Sequence, residues 1–423
     1  MPLTKATLKQ AKPWCLAALL ALTLSGCAAR ADQEITLASW GSVEEIGLLK
    51  PLLAQFNREH PKTPVRLLHI PDGYFQKLHL LYAAGQGPDV AFMNNWQLPT
   101  YAAGGELQDL APFISRSQAL KADEFVPASL NACRYKGNLY AIPRDVSNLV
   151  VYINEEQFKA AGVPLPNPNW TLDEMLAMGK AFVKDENNDG ELDHWAISAD
   201  PRPLFWLPFV WSYGGDLLSA DLKQFTLDQP AARQGLQAFA DLRGKYHLSP
   251  RETETGGAAM GQLFAQSKLA MFVSGRWSVP AFREKLTFKW DIRPFPKGPA
   301  GSIVDADASG WAISKSSHNP QAAWTLIEWL AGKTAATAFT AGGLVIPARR
   351  DVGQSDTFLQ PGLAPASAHV FLDALQTGRP LRTPPAWGEL NGEIEQALGP
   401  VWQGRAPLQA GLASLRHRVE PLL

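Results

Sequence analysis

Residues 34–56 read EITLASWGSVEEIGLLKPLLAQF, and the change of rhythm inside that stretch decides the fold class. Glu34–Ser39 largely alternates polar and apolar residues, the period of a strand. Trp40-Gly41-Ser42 supplies a turn and a helix N-cap, and Glu44 and Glu45 place acids in a first helical turn, where the helix dipole favours them. Ile46, Leu49, Leu53 and Phe56 then recur at helical spacing until Pro61. The unit repeats downstream. Val65–Ile70 predicts a second strand and Phe75–Ala84 a second helix; the turn Gly85-Gln86-Gly87-Pro88 leads to a third strand at Asp89–Met93. Strand–helix units in series predict a parallel α/β sheet with ligands at the carboxyl ends of its strands.

Outward from this unit the pattern persists. Leu172–Lys184, Ala231–Tyr246, Pro280–Leu286, Asn319–Leu330, Gly388–Gly404 and Pro407–Val419 read as helices. Leu139–Pro143 and Leu149–Ile153 read as strands, and Pro361–Ala368 as a loop. No linker divides the chain cleanly, which fits two lobes with several crossings between them.

Upstream lies a basic start (Lys5, Lys9, Lys12), an apolar run from Trp14 to Leu24, and Leu24-Ser25-Gly26-Cys27. This has the form of a secretory signal, and the apolar run falls short of the ~20 residues that span a bilayer. Leu-Ser-Gly before Cys27 resembles a bacterial lipobox, so residues 1–26 are expected to be removed, 27–33 to be a tether, and Cys27 to carry lipid. The expected location is the periplasm or the cell-envelope surface. The mature chain keeps 36 basic against 40 acidic residues, because the signal holds three of the 39 and no acid. A net charge of −4 without a basic face excludes an electrostatic nucleic-acid binder. Cys133 alone remains as a free thiol, so no internal disulfide is available.

The order of the blocks carries a resemblance. ITLASWGSVEEIGLLKPLLAQFNREHP, GQGPDVAFMNNWQLPTYAAGGELQDLAPFI, YKGNLYAIPRDVSNLVVYINEEQFKAAGV, FAQSKLAMFVSGRWSVPAF, SGWAISKSSHNPQAAWTLIEWL and GGLVIPARRDV resemble, in that order, segments of bacterial extracellular solute-binding proteins of the maltose-binding-protein-like class. The resemblance implies an α/β, two-lobed periplasmic-binding-protein fold of type II, with the cleft between lobes. It implies a first lobe of 34–143 plus 300–345 and a second of 144–299 plus 346–423. It further implies a monomeric receptor that closes on a sugar, passes it to an ABC permease and catalyses nothing. A glycerol-phosphate or phosphodiester receptor, and an exported carbohydrate-active enzyme, are the alternatives.

Sugars present hydroxyl edges and weakly apolar faces, so a sugar site needs carboxylates, amides and aromatic platforms. Trp40 and Glu45 stand at the first strand–helix junction, with Glu45 equally readable as a helix-dipole partner. Asp72-Gly73-Tyr74 follows the second strand and offers Tyr74, or is a plain turn. Asn94, Asn95 and Trp96 end the third strand, a favoured ligand position. The resemblance places Asp145 and Ser147 at the first crossover and Trp277 as a sugar-stacking platform, while Asp307 and Trp311 lie at the return into the first lobe; Asp145 is also readable as a hinge-region salt-bridge partner of Arg144 or another base, and Trp311 as buried. Trp211 and Tyr213 precede Gly214-Gly215, and Arg349 follows Pro347 with a guanidinium suited to ligand oxygens.

Asp185, Asn187, Asp189, Glu191 and Asp193, with Gly190 at the sixth position, match the first part of a calcium loop, but Ala196 stands where the bidentate glutamate belongs. A polar turn and a structural calcium site both remain open there; no other cofactor is expected. Enzyme signatures are poor. Gly332-Lys333-Thr334 lacks the first glycine of a P-loop, since Ile327 occupies it, and no Gly-x-Ser-x-Gly or His-Glu-x-x-His is present.

Overall fold

The structure, a computed structural model, describes residues 34–255 and 258–423. The signal, the tether and Cys27 lie outside the described residues. The chain opens as expected: β1 (Ile35–Ser39) runs into a helix at Val43–Glu59, whose N-cap Ser42 accepts from the Glu45 amide. Next come β2 (Val65–His69), a helix at Tyr74–Ala83 and β3 (Val90–Asn94). A two-residue-per-strand hairpin follows, β4 (Arg134–Tyr135) with β5 (Asn138–Leu139), and then β6 (Ile142–Ser147) and β7 (Val150–Asn154). The remaining strands are β8 (Trp195–Ile197), β9 (Leu269–Ser274), β10 (Trp290–Arg293), β11 (Asp307–Ile313) and β12 (Ile346–Pro347).

Two sheets organise two lobes. The first has the order β12-β6-β11-β3-β1-β2 and the second β10-β7-β9-β8. In the first sheet β2, β1 and β3 are parallel, but β11 enters antiparallel between β3 and β6. The expected all-parallel sheet is therefore mixed: a strand returning from the second lobe fills the position a further strand–helix unit would take. The strand β6 ends at Ser147 and β12 reaches Pro347, so 144–147 and 346–347 belong to the first sheet, beyond the expected crossings at 143 and 345. Val304 packs in the second lobe while Ala308 packs in the first, which moves the return crossing from 300 to 305–307. Backbone pairing across a sheet, invisible in sequence, set these boundaries.

The cores explain the strand composition. In β7 (VVYIN), Val151 and Ile153 enter one second-lobe core while Val150 and Tyr152 enter the core on the opposite face. Both faces are covered, so the strand is apolar throughout instead of alternating. The segment 203–212 (PLFWLPFVWS) is a helix whose residues are nearly all buried, and a helix apolar all round shows no stripe for a periodicity search.

Candidate ligand cleft between the lobes

The site starts from a defect in the first sheet. On β11 the neighbours Ser309 and Gly310 pair with Asp145 and Pro143 of β6, leaving Arg144 as one extra residue between them. Such a bulge re-aims side chains. Gly310 makes it feasible, since a Cβ there would stand 2.2 Å from the Ile142 carbonyl oxygen. The consequence is an ion cluster: the Arg144 guanidinium reaches Glu45 Oε1 at 2.6 Å through Nη1 and Asp145 Oδ2 at 2.5 Å through Nε, and lies 4.2 Å over the Phe92 ring. Burial works to lower the Arg144 pKa, and the charges of Asp145 and Glu45 outweigh it, so it ends above the ordinary value. Burial lifts the Asp145 carboxyl above the usual range, against the pull of Arg144.

Around this cluster opens a cleft of about 360 Å³. It is lined by Trp40, Glu45, Asp145, Ser147 and Trp277 of the expected residues, and also by Ser42, Arg144, Ser309, Leu344–Ile346 and Arg276. Trp40 packs on Phe92, with centroids 4.2 Å apart, and edge-on to Tyr74 at 5.1 Å. Gly41, at φ +144°, lets the Glu45 side chain fold back, because a Cβ would lie 3.0 Å from its carboxyl atoms. From the second lobe, Trp277 is 39% exposed. Its ring covers Gly275, where a Cβ would meet it at 2.0 Å. Carboxylates, hydroxyls and two indoles thus share one space, the equipment a polyhydroxylated ring requires.

The other expected residues fall elsewhere, each for a physical reason. Tyr74 is 5% exposed and donates its hydroxyl to the Ala38 carbonyl, so it is core. Asn94 accepts from the Gln97 amide at a helix start. Asn95 donates to Asp307 and to the Leu381 carbonyl and accepts from the Ala308 amide, while Trp96 Nε1 donates to Asp307 Oδ2 at 2.6 Å. Buried Asn95 and Asp307 and half-buried Trp96 form a polar knot where the chain crosses between lobes. Trp211 is buried and donates to Asp216, Tyr213 ends its helix against the second-lobe core, and Trp311 is fully buried over Phe92 at 4.5 Å. Arg349 is held by Glu124 and Asp351 at 3.1 Å each in a separate concavity with Asp123 and Arg350. In the 185–193 loop, Asp185, Asn187, Asp189 and Asp193 accept from backbone amides, including that of Glu191, as in polar turns. Among the described residues no His, Cys, Asp and Glu cluster is arranged to hold a metal.

Sequence reading named Arg144 only as a salt-bridge partner of Asp145, which it is, and missed Ser309 as a cleft residue because a bulge leaves no local signal; it read Ser42 only as a cap and Leu344–Ile346 only as a resembling block. A larger concavity of about 480 Å³, with Arg202, Met260, Glu395 and Trp402 in its walls, lies on the flank of the second lobe. Its walls come from one lobe, so lobe movement does not close it.

Two α/β lobes joined by several crossings, with the polar cleft between them, define a ligand-binding receptor of the two-lobed kind. Residues 41–337 match the family model described as bacterial extracellular solute-binding protein, and the chain belongs to that family. A putative binding protein of Brucella abortus (strain 2308) is 22% identical over 414 residues, covering 96% of this chain and 97% of its own. An ABC substrate-binding protein from Listeria monocytogenes, solved in complex with cycloalternan, superposes with a TM-score of 0.85 at 22% identity over 92% of this chain and 98% of that one. A maltose-bound protein of T. maritima gives 0.79 at 20% identity over 92% and 100%.

Proposed function

We propose that this protein is the binding component of an ABC importer, closing its lobes on a sugar or oligosaccharide and delivering it to a membrane permease without catalysing a reaction. The observation that carries the reading is the cleft itself, where Trp40 and Trp277 offer ring platforms and Glu45 and Asp145 offer carboxylates to hydroxyls. Saccharide ligands in the Listeria and T. maritima relatives support it. Export with a lipid tether at Cys27 completes the picture: it would hold a receptor near its permease and raise their effective concentration.

The test is a thermal-shift screen over mono-, di- and oligosaccharides, paired with product analysis after long incubation. Ligand at 100 times its Kd stabilises the folded state by about 2.7 kcal/mol, enough to raise the melting temperature visibly. The expected result is a shift with saccharide, no product, and loss of the shift in Trp277→Ala. Turnover of an oligosaccharide, or no response to any saccharide, overturns the reading.

A further inference from the structure

Among the groups lining the cleft, Arg276 is set apart by what it lacks. It is 2% exposed and donates from Nη2 to the Phe358 carbonyl at 2.7 Å, while Nε and Nη1 have no partner. Its guanidinium carbon lies 4.0 Å over the Phe358 ring and 5.5 Å from that of Phe371, so its surroundings are aromatic, not acidic. Arg283, on the next helix, bonds the Ala364 carbonyl and the Gln360 amide oxygen and leaves Nη2 unfilled. Neither makes an ion pair among the described residues.

This contrasts with every other charge of the cleft. On the first-lobe wall Arg144 is neutralised twice over, and the Glu45–Arg144–Asp145 cluster sums to one negative charge. A buried cation without a counter-charge is costly, and proteins keep such groups where a ligand supplies the missing charge. Burial, opposed by Tyr152 and aided by Arg283, pushes the Arg276 guanidinium down to about 10, as expected of a buried cation with no acid beside it. At low effective dielectric its field extends into the adjoining space.

We infer that the cleft selects a saccharide bearing a carboxylate, a uronic-acid sugar, whose hydroxyl edge meets the Glu45 and Asp145 wall while its acid group faces Arg276. The inference rests on the sugar-receptor reading and goes further by naming the class of sugar. Arg276 acts as a specificity residue: it favours a negative charge on the second-lobe side, where a neutral sugar leaves it uncompensated. The acid cannot profitably sit on the first-lobe side, where it would meet like charge.

The test pairs neutral saccharides (maltose, maltotriose, cellobiose) with uronic-acid ones (glucuronate, digalacturonate, trigalacturonate) in titration calorimetry on the full mature chain, with inorganic phosphate as an anion control. A uronate is expected to bind about tenfold tighter than the best neutral sugar of equal length, through the Coulombic attraction of its acid group by the buried guanidinium. Arg276→Met, close in volume, should abolish that preference, so that uronate and neutral sugar bind alike, and Arg276→Lys should restore part of it. Neutral sugars binding where uronates do not, a preference that survives Arg276→Met in a folded variant, or phosphate competing as well as the uronates overturns the inference and leaves the sugar-receptor reading standing. No response to any saccharide in the wild-type protein overturns both. Should Arg276→Met not fold, the Lys variant decides: an unchanged affinity ratio against a wild-type preference of tenfold refutes direct charge selection.

Discussion

Replacing Asp305 with Asn tests whether the crossing between the lobes carries an uncompensated acid. Asp305 is 1% exposed, neither carboxylate oxygen has a well-formed hydrogen bond, and the backbone amides of Leu149 and of Asp305 itself offset its burial only in part. Two residues on, Asp307 accepts from Asn95, Trp96 and the Leu381 amide, yet burial still pushes its carboxyl up to about 6. Burial raises Asp305 further, with the charge of Asp307 adding to it. The nearest cation on the paired segment is Arg379, and its guanidinium goes to Asp216 and the Gly215 carbonyl. In the unfolded chain each acid titrates near 3.8. Below that value both states hold the proton and the folded state suffers no loss. As pH rises the unfolded chain releases its proton first, and stability falls until the folded-state pKa is passed.

For Asp307 the loss amounts to about 3 kcal/mol between pH 4 and pH 6, since each pH unit in that interval costs about 1.4 kcal/mol. For Asp305 it continues to higher pH at the same rate. The variant lacks this titration, so its stability relative to wild type should climb by up to about 1.4 kcal/mol per pH unit. An unpaired amide adds only a constant, which makes the slope the readout. Urea midpoints of both proteins at pH 5, 6, 7 and 8 supply it. A flat difference, or a wild type that gains on the variant as pH rises, would refute the argument by showing Asp305 ionised and compensated.

Three further outcomes follow from the geometry. Arg144→Met leaves Glu45 and Asp145 without their counter-ion and should cost about 3–5 kcal/mol in urea unfolding; under 1 kcal/mol would mean the cluster is not buried as described. Gly275→Ala forces the Trp277 ring off its seat, so sugar affinity should drop about tenfold while the melting temperature stays within a few degrees; unchanged affinity would remove Trp277 from the site. Trp96→Phe deletes the 2.6 Å bond to Asp307 and should lower stability by about 1–3 kcal/mol without altering affinity, whereas the opposite pattern would return Trp96 to the cleft.

The fold was legible where elements announce themselves locally. The run from Ile35 to Glu59 shows its strand, cap and amphipathic helix in consecutive residues. Asn319 before Pro320–Leu330 is another case, since its side chain caps the Ala322 amide. Two kinds of element escaped. Helix 203–212 has no polar stripe because the second-lobe core surrounds it, and β11 can be assigned its antiparallel place only through pairing with β3 and β6. Burial on all sides erases periodicity, and strand order is a property of distant partners.

The site divides along the same line. Trp40 directly follows β1 and Glu45 stands in the first turn of the next helix, where strand-end reasoning finds them, whereas Trp277 is indicated by the family resemblance. Asn95 and Trp96 also follow a strand end, yet they are consumed by the crossing. Leu381 and Thr383, nearly three hundred residues later, lie over that end: the Leu381 carbonyl accepts from Asn95 and the Thr383 hydroxyl donates to the Trp96 carbonyl. Which strand ends stay open to ligand is therefore decided by where the returning chain is laid down. The acids obey the same rule. Asp145 lines the cleft, beside Arg144 at the bulge, whereas Asp307, across the same pair of strands, is bonded by Asn95, Trp96 and the Leu381 amide. Both carboxylates are buried to the same degree, and it is the covering segment that leaves Asp145 bordering the cleft and closes Asp307 into the crossing.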